Sequence, residues 1–244
     1  MIIFISILLI LFFSKLFIIN KNVYKNKVNK IIFYSSNDIL YLLNDTFYYY
    51  YTNMNNDNLK LRRIKDKQQF LNNLYKYFYD INIYEKYILT NAISIAQTKL
   101  NKIKCKGFYP HKLDNIAWRI GFSNLYDYEF GLPHTHKDII ILNKDNIYNN
   151  NLVTILIHER IHVYQRLFPE DINEYLLYNK FEKVRKKTNN DRTNPDTDDY
   201  VYSRNGLIYE CKIDSTYNSV KCTKNNSKYE HPFEYMAYTL SESC

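Results

Sequence analysis

The chain has few cysteines, and their spacing excludes one common kind of metal site. The four residues are Cys105, Cys211, Cys222 and Cys244, and no two of them form a CxxC pair. A structural zinc site built from cysteines needs such closely spaced pairs, so the sequence argues against one. Cys211 and Cys222 could close a hairpin-sized disulfide in an oxidising compartment, whereas separate thiols are equally normal in a reducing one.

Glycine is also scarce, with 4 residues in a chain of 244, while tyrosine reaches 26. Together with the abundant Asn, Ile and Lys, this composition indicates a coding bias rather than a functional signal. A hydrophobic fraction of 46% and an aromatic fraction of 17% argue against disorder. The chain is therefore expected to fold around a real core, as one sizeable domain with an appendage.

Positive charge is plentiful but not concentrated. The formal net charge is +8 and the pI is near 9.0, yet Lys and Arg are spread along the sequence, which is typical of a solvated basic surface. Binding of nucleic acid would be indicated by phosphate-contacting residues clustered on one face. No such motif is present, so we expect no nucleic-acid partner.

The amino-terminal segment almost lacks polar residues, with Ser6, Ser14 and Lys15 as the exceptions before Asn20. About 20 apolar residues span a bilayer as a helix, so residues 1–20 are predicted to be a transmembrane signal anchor. A basic stretch before the apolar run and a small-residue cleavage site after it are both missing, which argues against a cleaved signal peptide. A buried amino-terminal helix is the alternative.

Lysines lie on the carboxyl side of this apolar segment, against only the amino terminus on the other side: Lys15, Lys21, Lys25, Lys27 and Lys30. Positive charge favours the cytoplasmic side of a membrane. The sequence therefore predicts a single-pass membrane protein with residues 21–36 as a basic linker and the large domain on the cytoplasmic side.

The most informative motif is His158-Glu159-Arg160-Ile161-His162, an HExxH. No Pro or Gly interrupts the run from Leu152 to Phe168, so the motif is predicted to lie on a helix. Two histidines four residues apart on a helix lie about one turn from each other, and both imidazoles can reach one ion. Glu159, at the rim of that face, could take a proton from a metal-bound water.

A catalytic zinc ion needs three protein ligands and one open position. The strongest third candidate is Glu234, in His231-Pro232-Phe233-Glu234-Tyr235-Met236-Ala237-Tyr238, because the small Ala237 lies three residues on and lets this helix pack closely against the first. The rivals are Glu210, Asp214, Glu230 and His231. Gln165 could hydrogen-bond a ligand or face solvent. Tyr235, Tyr238 and His231 are candidates for stabilising an oxyanion or for simple packing.

Apolar periodicity and turn residues predict the remaining elements. Helices are expected over Asn37–Tyr51, Leu59–Tyr79, Ile83–Ile103, Asp171–Lys187 and Pro232–Leu240, strands over Asn115–Phe122 and His134–Leu142, an irregular polar stretch over Thr188–Asp199, and a hairpin near Arg204-Asn205-Gly206. The second strand could line a cleft and pair with an extended peptide. Its His134 and His136 are candidates for extra ligands or for cleft-wall residues.

The sequence His158-Glu159-x-x-His162-x-x-Gln165, followed by Pro-x-Glu-x-x-Ala-Tyr, resembles the gluzincin-like branch of zincin metallopeptidases. The resemblance covers roughly Trp118 to the carboxyl terminus and implies His158, His162 and Glu234 as zinc ligands and Glu159 as general base. The chain also resembles uncharacterised membrane-anchored metallopeptidase-like proteins of large DNA viruses, around Gly131–Thr135 and His231–Tyr235. No Gly and third His follow His162, which excludes the metzincin pattern.

These observations predict an α+β, zincin-like fold in which the HExxH helix packs against a small sheet. A helical region, residues 37–110, would precede a metallopeptidase domain, residues 111–244. The predicted activity is hydrolysis of peptide bonds in a peptide or protein substrate, with one catalytic zinc ion. The alternative is an inactive zincin-fold protein tethered to a membrane for binding or scaffolding, although the presence of Glu159 favours the enzyme.

Overall fold

The computed structural model describes residues 30–41, 54–123, 129–217, 219–222 and 229–243. Within these ranges no helix is both long and apolar enough to cross a membrane. The longest one, Ile83–Leu100, has 18 residues and carries Glu85, Lys86 and Lys99, whereas a span needs about 20 mostly apolar residues. The prediction of a single-pass membrane protein with a cytoplasmic domain is therefore corrected: the described part of the chain contains no membrane-spanning helix. The apolar segment 1–20 lies outside the described residues.

The described part is an α+β structure whose main sheet has four strands in the order β1-β2-β4-β3. They are β1 (Ile31–Phe33), β2 (Trp118–Ser123), β3 (His134–His136) and β4 (Ile139–Asn143). The strands β1, β2 and β4 are parallel, and β3 lies antiparallel to β4 at one edge. Ile140 and Leu142 face one apolar cluster, while Ile139 and Ile141 face another. The sheet is thus covered on both faces, as its continuous apolar run indicates.

The helices are α1 (Asn56–Leu61), α2 (Lys67–Asn72), α3 (Ile83–Leu100), α4 (Lys144–Ile147), α5 (Leu152–Leu167), α6 (Pro169–Tyr178) and α7 (Pro232–Glu242). Three short 3-10 turns lie at Leu74–Tyr77, Pro110–Leu113 and Glu129–Gly131, and residues 36–41 are also helical. The rest of the helix predicted for Asn37–Tyr51 lies outside the described residues.

The prediction for α3 is confirmed to within three residues at its end. Asn82 and Glu85 form a reciprocal capping box that begins this helix. The prediction of one helix over Leu59–Tyr79 is wrong, because α1 ends at Leu61 and Arg63 adopts a left-handed backbone with φ of 58°. Helix α2 then starts afresh, with the Asp66 side chain accepting from the backbone N–H of Gln69.

The run His134–Leu142, predicted as a single strand, is instead a hairpin of β3 and β4. The chain turns at Lys137, whose φ is 53°, and His136 pairs with Ile139 across the turn. Periodicity alone cannot show such a turn, because both strands are buried and read as one continuous segment.

The helix predicted for Asp171–Lys187 is also wrong in its second half. Helix α6 ends at Tyr178, Lys180 adopts φ of 60°, and β5 (Glu182–Lys186) follows. This strand joins a second sheet with β6 (Tyr200–Arg204) and β7 (Leu207–Tyr209) in the order β5-β6-β7. The predicted hairpin at Arg204-Asn205-Gly206 is confirmed, since β6 and β7 are antiparallel on either side of it.

Two short strands, β8 (Lys212–Ile213) and β9 (Val220–Lys221), form a third sheet. Cys211 and Cys222 flank this pair and form a disulfide. Two strands of this length are too small to bury a core of their own. The disulfide at their open ends therefore stabilises the pairing of β8 with β9.

Helix α5 lies at the centre of the molecule, between α3 and α7. Its inward face carries Leu156, Ile157 and Ile161, all fully buried in the larger core together with Trp118 of β2 and Met236 of α7. This packing explains why the HExxH segment is a regular helix, since most helical stability comes from burial of an apolar face.

Arg160, an unusual residue in the middle of an HExxH motif, is fully buried on this helix. Its guanidinium donates to the carbonyl oxygens of Ala117 at 3.0 Å and Ile116 at 2.6 Å, and it lies 4.7 Å from the centre of the Trp118 ring. Burial lowers its pKa to about 10. Arg160 thus ties the start of β2 to the helix and points away from the motif histidines.

Replacing Arg160 by Met should lower the free energy of unfolding by about 3 kcal/mol, because two hydrogen bonds from a charged donor to the partly buried carbonyl groups of Ile116 and Ala117 are lost. The measurement is chemical denaturation. Arg119→Met on β2 is the control: Arg119 pairs with Asp138 but is 40% exposed, so its loss should cost less than about 1 kcal/mol. Equal losses in the two variants would contradict the role given to Arg160.

Candidate metal centre

The histidines of the HExxH motif face each other across one turn of α5. Nε2 of His158 and Nε2 of His162 are 3.0 Å apart, and the two rings meet edge to face. Side chains four residues apart on a helix are neighbours, and here both turn the same nitrogen toward one point. His162 is 1% exposed, so this point is buried inside the protein.

Helix α7 brings Glu234 to the same point. Pro232 begins this helix, the buried His231 side chain caps it, and the fully buried Ala237 lets it pack closely against α5. One Glu234 oxygen lies 3.4 Å from Nε2 of His158 and the other lies 3.7 Å from Nε2 of His162. The ligand atoms of the three residues all lie within 4.8 Å of one another.

These separations fit a small metal ion. Zinc ligands lie about 2.0–2.1 Å from the ion, which places neighbouring ligand atoms of a tetrahedral site about 3.3 Å apart. The observed distances of 3.0, 3.4 and 3.7 Å lie around that value. Two imidazole nitrogens and one carboxylate form a donor set used for catalytic zinc.

Glu159 supplies a second observation that fits this interpretation. Its side chain is 3% exposed, and its Oε2 atom has no hydrogen-bond partner among the described residues. Burial, together with the charges of Asp196 and Glu234, raises the pKa of Glu159 well above its usual value. A buried carboxylate oxygen without a partner is costly, so its presence indicates that a ligand or water donates to it.

Electrostatics also favour a cation here. Burial by itself lowers the pKa of His162, but the carboxylates of Asp196 and Glu234 outweigh burial and raise the pKa to about 10. Burial likewise raises the pKa of Glu234, yet the imidazoles of His162 and His158 hold it well below its usual range. The buried carboxylates therefore stabilise positive charge at this point, and a metal cation satisfies the same requirement.

Gln165 orients His162, one of the two alternatives that the sequence leaves open for it. Its Nε2 donates to the carbonyl oxygen of Phe233 at 3.0 Å, so its Oε1 faces Nδ1 of His162 at 2.8 Å. Nδ1 must then carry a proton, so when an ion displaces the second ring proton the lone pair that binds it lies on Nε2. The same side chain links α5 to α7 immediately before Glu234.

Of the remaining candidate residues, Tyr238 packs against a motif histidine. It is on α7 one turn after Glu234, its ring is 4.4 Å from that of His158, and it lines the adjoining cavity. His231 is instead committed to structure, since Nδ1 accepts from the N–H of Phe233 and Nε2 bonds Asp198. Tyr235 packs among Phe181, Tyr209 and Tyr229.

The rival acidic ligands do not belong to the three-residue cluster and have other partners. Glu210 pairs with Arg185 and Lys212, Asp214 accepts hydrogen bonds within its own turn, and Glu230 pairs with Arg192. Within the described ranges, the one group of three or more potential metal ligands is His158, His162 and Glu234. His134 and His136 are buried against each other on β3, and His134 lines the cavity.

A cavity of about 410 Å³ opens beside the centre. Its wall includes part of the polar stretch predicted to be irregular, namely Arg192, Asn194, Pro195 and Asp196. Asn194 donates to Glu234 at 2.9 Å. These residues could not be predicted as part of the site, because neither periodicity nor a motif distinguishes a loop that reaches the site through long-range contacts.

The edge of β3 is not free to pair with an extended peptide at its central residue. The N–H of Thr135 donates to Asp196 at 3.0 Å, and Arg166 bonds both Asp196 and the carbonyl oxygen of Lys137. The expectation that a substrate pairs with this strand is therefore wrong at Thr135, because the loop already occupies that hydrogen-bonding position.

Replacing Gln165 by Leu should weaken zinc binding about 10-fold to 100-fold, because the partner that fixes the tautomer and orientation of His162 is lost. The measurement is competition for zinc with a chelator of known affinity. Gln97→Leu is the matched control: Gln97 is buried and hydrogen-bonded to Trp118, so its loss should affect stability and leave zinc affinity unchanged. An unaltered affinity in Gln165→Leu would show that this hydrogen bond does not orient a ligand.

No protein-family model, curated protein or solved structure matches this chain. The predicted zincin-like fold class is therefore corrected to an α+β structure with several sheets. The physical reason is that an HExxH motif specifies one helix and the spacing of three side chains on it, whereas the order and pairing of strands depend on the rest of the chain.

Proposed function

We propose that this protein is a zinc-dependent hydrolase that cleaves peptide bonds. The observation that carries the proposal is the convergence of His158, His162 and Glu234 on one point, beside a buried Glu159 whose Oε2 has no partner among the described residues. When bound, zinc would act as a Lewis acid on a carbonyl group and lower the pKa of a water molecule to about 7.

Glu159 is the general base. Burial and the charges of Asp196 and Glu234 raise the pKa of Glu159, and a zinc ion at the neighbouring ligands would lower it again, so that the carboxylate can accept a proton from the water molecule. The unpartnered Oε2 accepts this proton and then delivers it to the leaving amine. Burial of Glu159 keeps bulk water away during the transfer.

Tyr238 is the donor that stabilises the oxyanion. It lines the cavity beside His158 and is 42% exposed, and partial burial together with the nearby Glu234 and Glu159 carboxylates raises its pKa. Its hydroxyl therefore stays protonated and able to donate. A preorganised donor aimed at a developing negative charge is one of the strongest contributions an active site can make.

The cavity is consistent with a short segment of substrate. Its volume of about 410 Å³ lies in the range of sites that bind small molecules or a few side chains. Since Asp196 occupies the N–H of Thr135 on the edge strand, a substrate reaches the centre through this cavity without pairing at that residue.

The first test is metal content with catalysis measured alongside. The purified full chain should hold one zinc ion, and His162→Ala and Glu234→Ala should lose it or bind it much more weakly, because each removes one of three ligands. The wild type should also cleave members of a peptide library. Absence of zinc after supplementation would overturn the metal assignment, and bound zinc without cleavage of any peptide would favour the binding or scaffolding alternative.

Glu159→Gln should keep the zinc and lose hydrolysis, since an amide cannot accept the proton. Glu170→Gln, on the surface of α6, is the control and should retain the wild-type rate. Peptide cleavage by Glu159→Gln at the wild-type rate would exclude the proposed general base.

Tyr238→Phe should lower kcat about 100-fold to 1000-fold with little change in KM, because the lost hydrogen bond forms in the transition state. Tyr235→Phe, one turn earlier on α7 but packed outside the cavity wall, should leave kcat nearly unchanged. A rise in KM at constant kcat in Tyr238→Phe would assign Tyr238 to substrate binding instead.

A further inference from the structure

Asn194 lies in the loop between β5 and β6 and contacts two carboxylates of the cavity wall. Its Nδ2 donates to Oε1 of Glu234 at 2.9 Å and to Oε1 of Glu230 at 2.5 Å. Its Oδ1 accepts from the backbone N–H of Asp196 at 2.8 Å. Both donor hydrogens and the acceptor oxygen of this side chain are therefore in use.

These partners fix the orientation of the amide. The N–H of Asp196 is a donor and must face the oxygen of Asn194, so the nitrogen must face the carboxylates. No other side chain of this size presents two hydrogens to two carboxylates and an oxygen to a backbone N–H. An Asp at this position would be isosteric but would place a third negative charge beside Glu230 and Glu234.

The contact restricts the carboxylate of Glu234. The Oε1 atom accepts from Asn194 while Oε2 faces Nε2 of His158 at 3.4 Å. A glutamate side chain has several rotatable bonds, and fixing them before an ion arrives removes an entropic cost from binding. A hydrogen bond to one oxygen also leaves lone pairs on both oxygens for an ion.

The loop that carries Asn194 is itself held in place by α1. The side-chain oxygen of Asn58, which is fully buried, accepts from the backbone N–H of Thr193 at 2.8 Å. Arg62 donates to the carbonyl oxygen of Thr193 at 2.8 Å and forms a buried ion pair with Glu129. The backbone next to Asn194 is thus fixed from a part of the chain more than 130 residues away in sequence.

We infer that Asn194 is a positioning residue for the metal centre: held by Asn58 and Arg62 through Thr193, it fixes the Glu234 carboxylate in the orientation directed at His158 and His162. The inference rests on the proposed function in taking Glu234 as a ligand. Asn194 contacts the ligand and not the ion or substrate, so its effect is on metal affinity.

The test is zinc affinity of the full chain by competition with a chelator. Asn194→Asp should bind zinc about 10-fold to 100-fold more weakly than the wild type, the usual effect of removing an orienting partner. Asn82→Asp is the control with the same change of atoms, since either side chain can cap α3, and it should keep the wild-type affinity. Wild-type affinity in Asn194→Asp would overturn the inference and leave the proposed function standing.

A second measurement separates contact with Glu234 from contact with Glu230. The double variant Asn194→Asp with Glu230→Gln restores a hydrogen bond between positions 194 and 230 but not the donor to Glu234. Zinc binding should stay weak in this variant if Asn194 acts through Glu234. Recovery of wild-type affinity would assign the effect to the loop alone and overturn the inference.

Thermal unfolding of the metal-free protein tests the contact between Asn194 and Glu234 without zinc. The melting temperature should fall in Asn194→Asp and should fall less when Glu234→Gln is also present, because glutamine can donate to the new aspartate. An equal fall in both backgrounds would show that Asn194 and Glu234 do not interact. Failure of the wild type to bind zinc would overturn the proposed function and the inference together, whereas wild-type zinc affinity in Asn194→Asp would overturn the inference alone.

Discussion

The packing of α7 against α5 is the contact on which the candidate centre depends. Glu234 reaches His158 and His162 only because Ala237 and Met236, both fully buried, let the two helices approach closely. This contact is made by apolar side chains and not by the three potential ligands themselves. The three potential ligands are therefore preorganised by the hydrophobic core, which is the arrangement that lets a site bind an ion with little loss of conformational entropy.

The same packing places three buried carboxylates close together, and their mutual repulsion is unfavourable. Glu159, Asp196 and Glu234 are buried within reach of one another, and the structure offsets this cost with specific partners. Asp196 accepts from Thr135 and Arg166, and Glu234 faces the two imidazoles. Among these three carboxylates, the buried oxygen without a hydrogen-bond partner in the described residues is Oε2 of Glu159. A buried polar atom left in this state is typical of a functional site rather than of a core built for stability.

Several polar contacts around the centre join parts of the chain that are distant in sequence. Gln165 connects α5 to the start of α7, and Asn58 and Arg62 connect α1 to Thr193. These side chains are buried and hydrogen-bonded, so a change in α1 would be transmitted to the loop beside Glu234 through defined contacts. The amino-terminal helices thus belong to the architecture of the centre and are more than an appendage to it.

The sequence by itself determined the HExxH helix, the α3 helix and the position of α7, because capping residues, prolines and spacing along a helix act within a few residues. The position of Glu234 near Ala237 in the sequence made it a candidate ligand. Its approach to the two histidines depends on the packing of α7 against α5. The turn at Lys137, the strand β5 and the loop carrying Asn194 were decided only by tertiary structure. Strand pairing and loop placement depend on partners far away in the chain, and no local pattern encodes those partners.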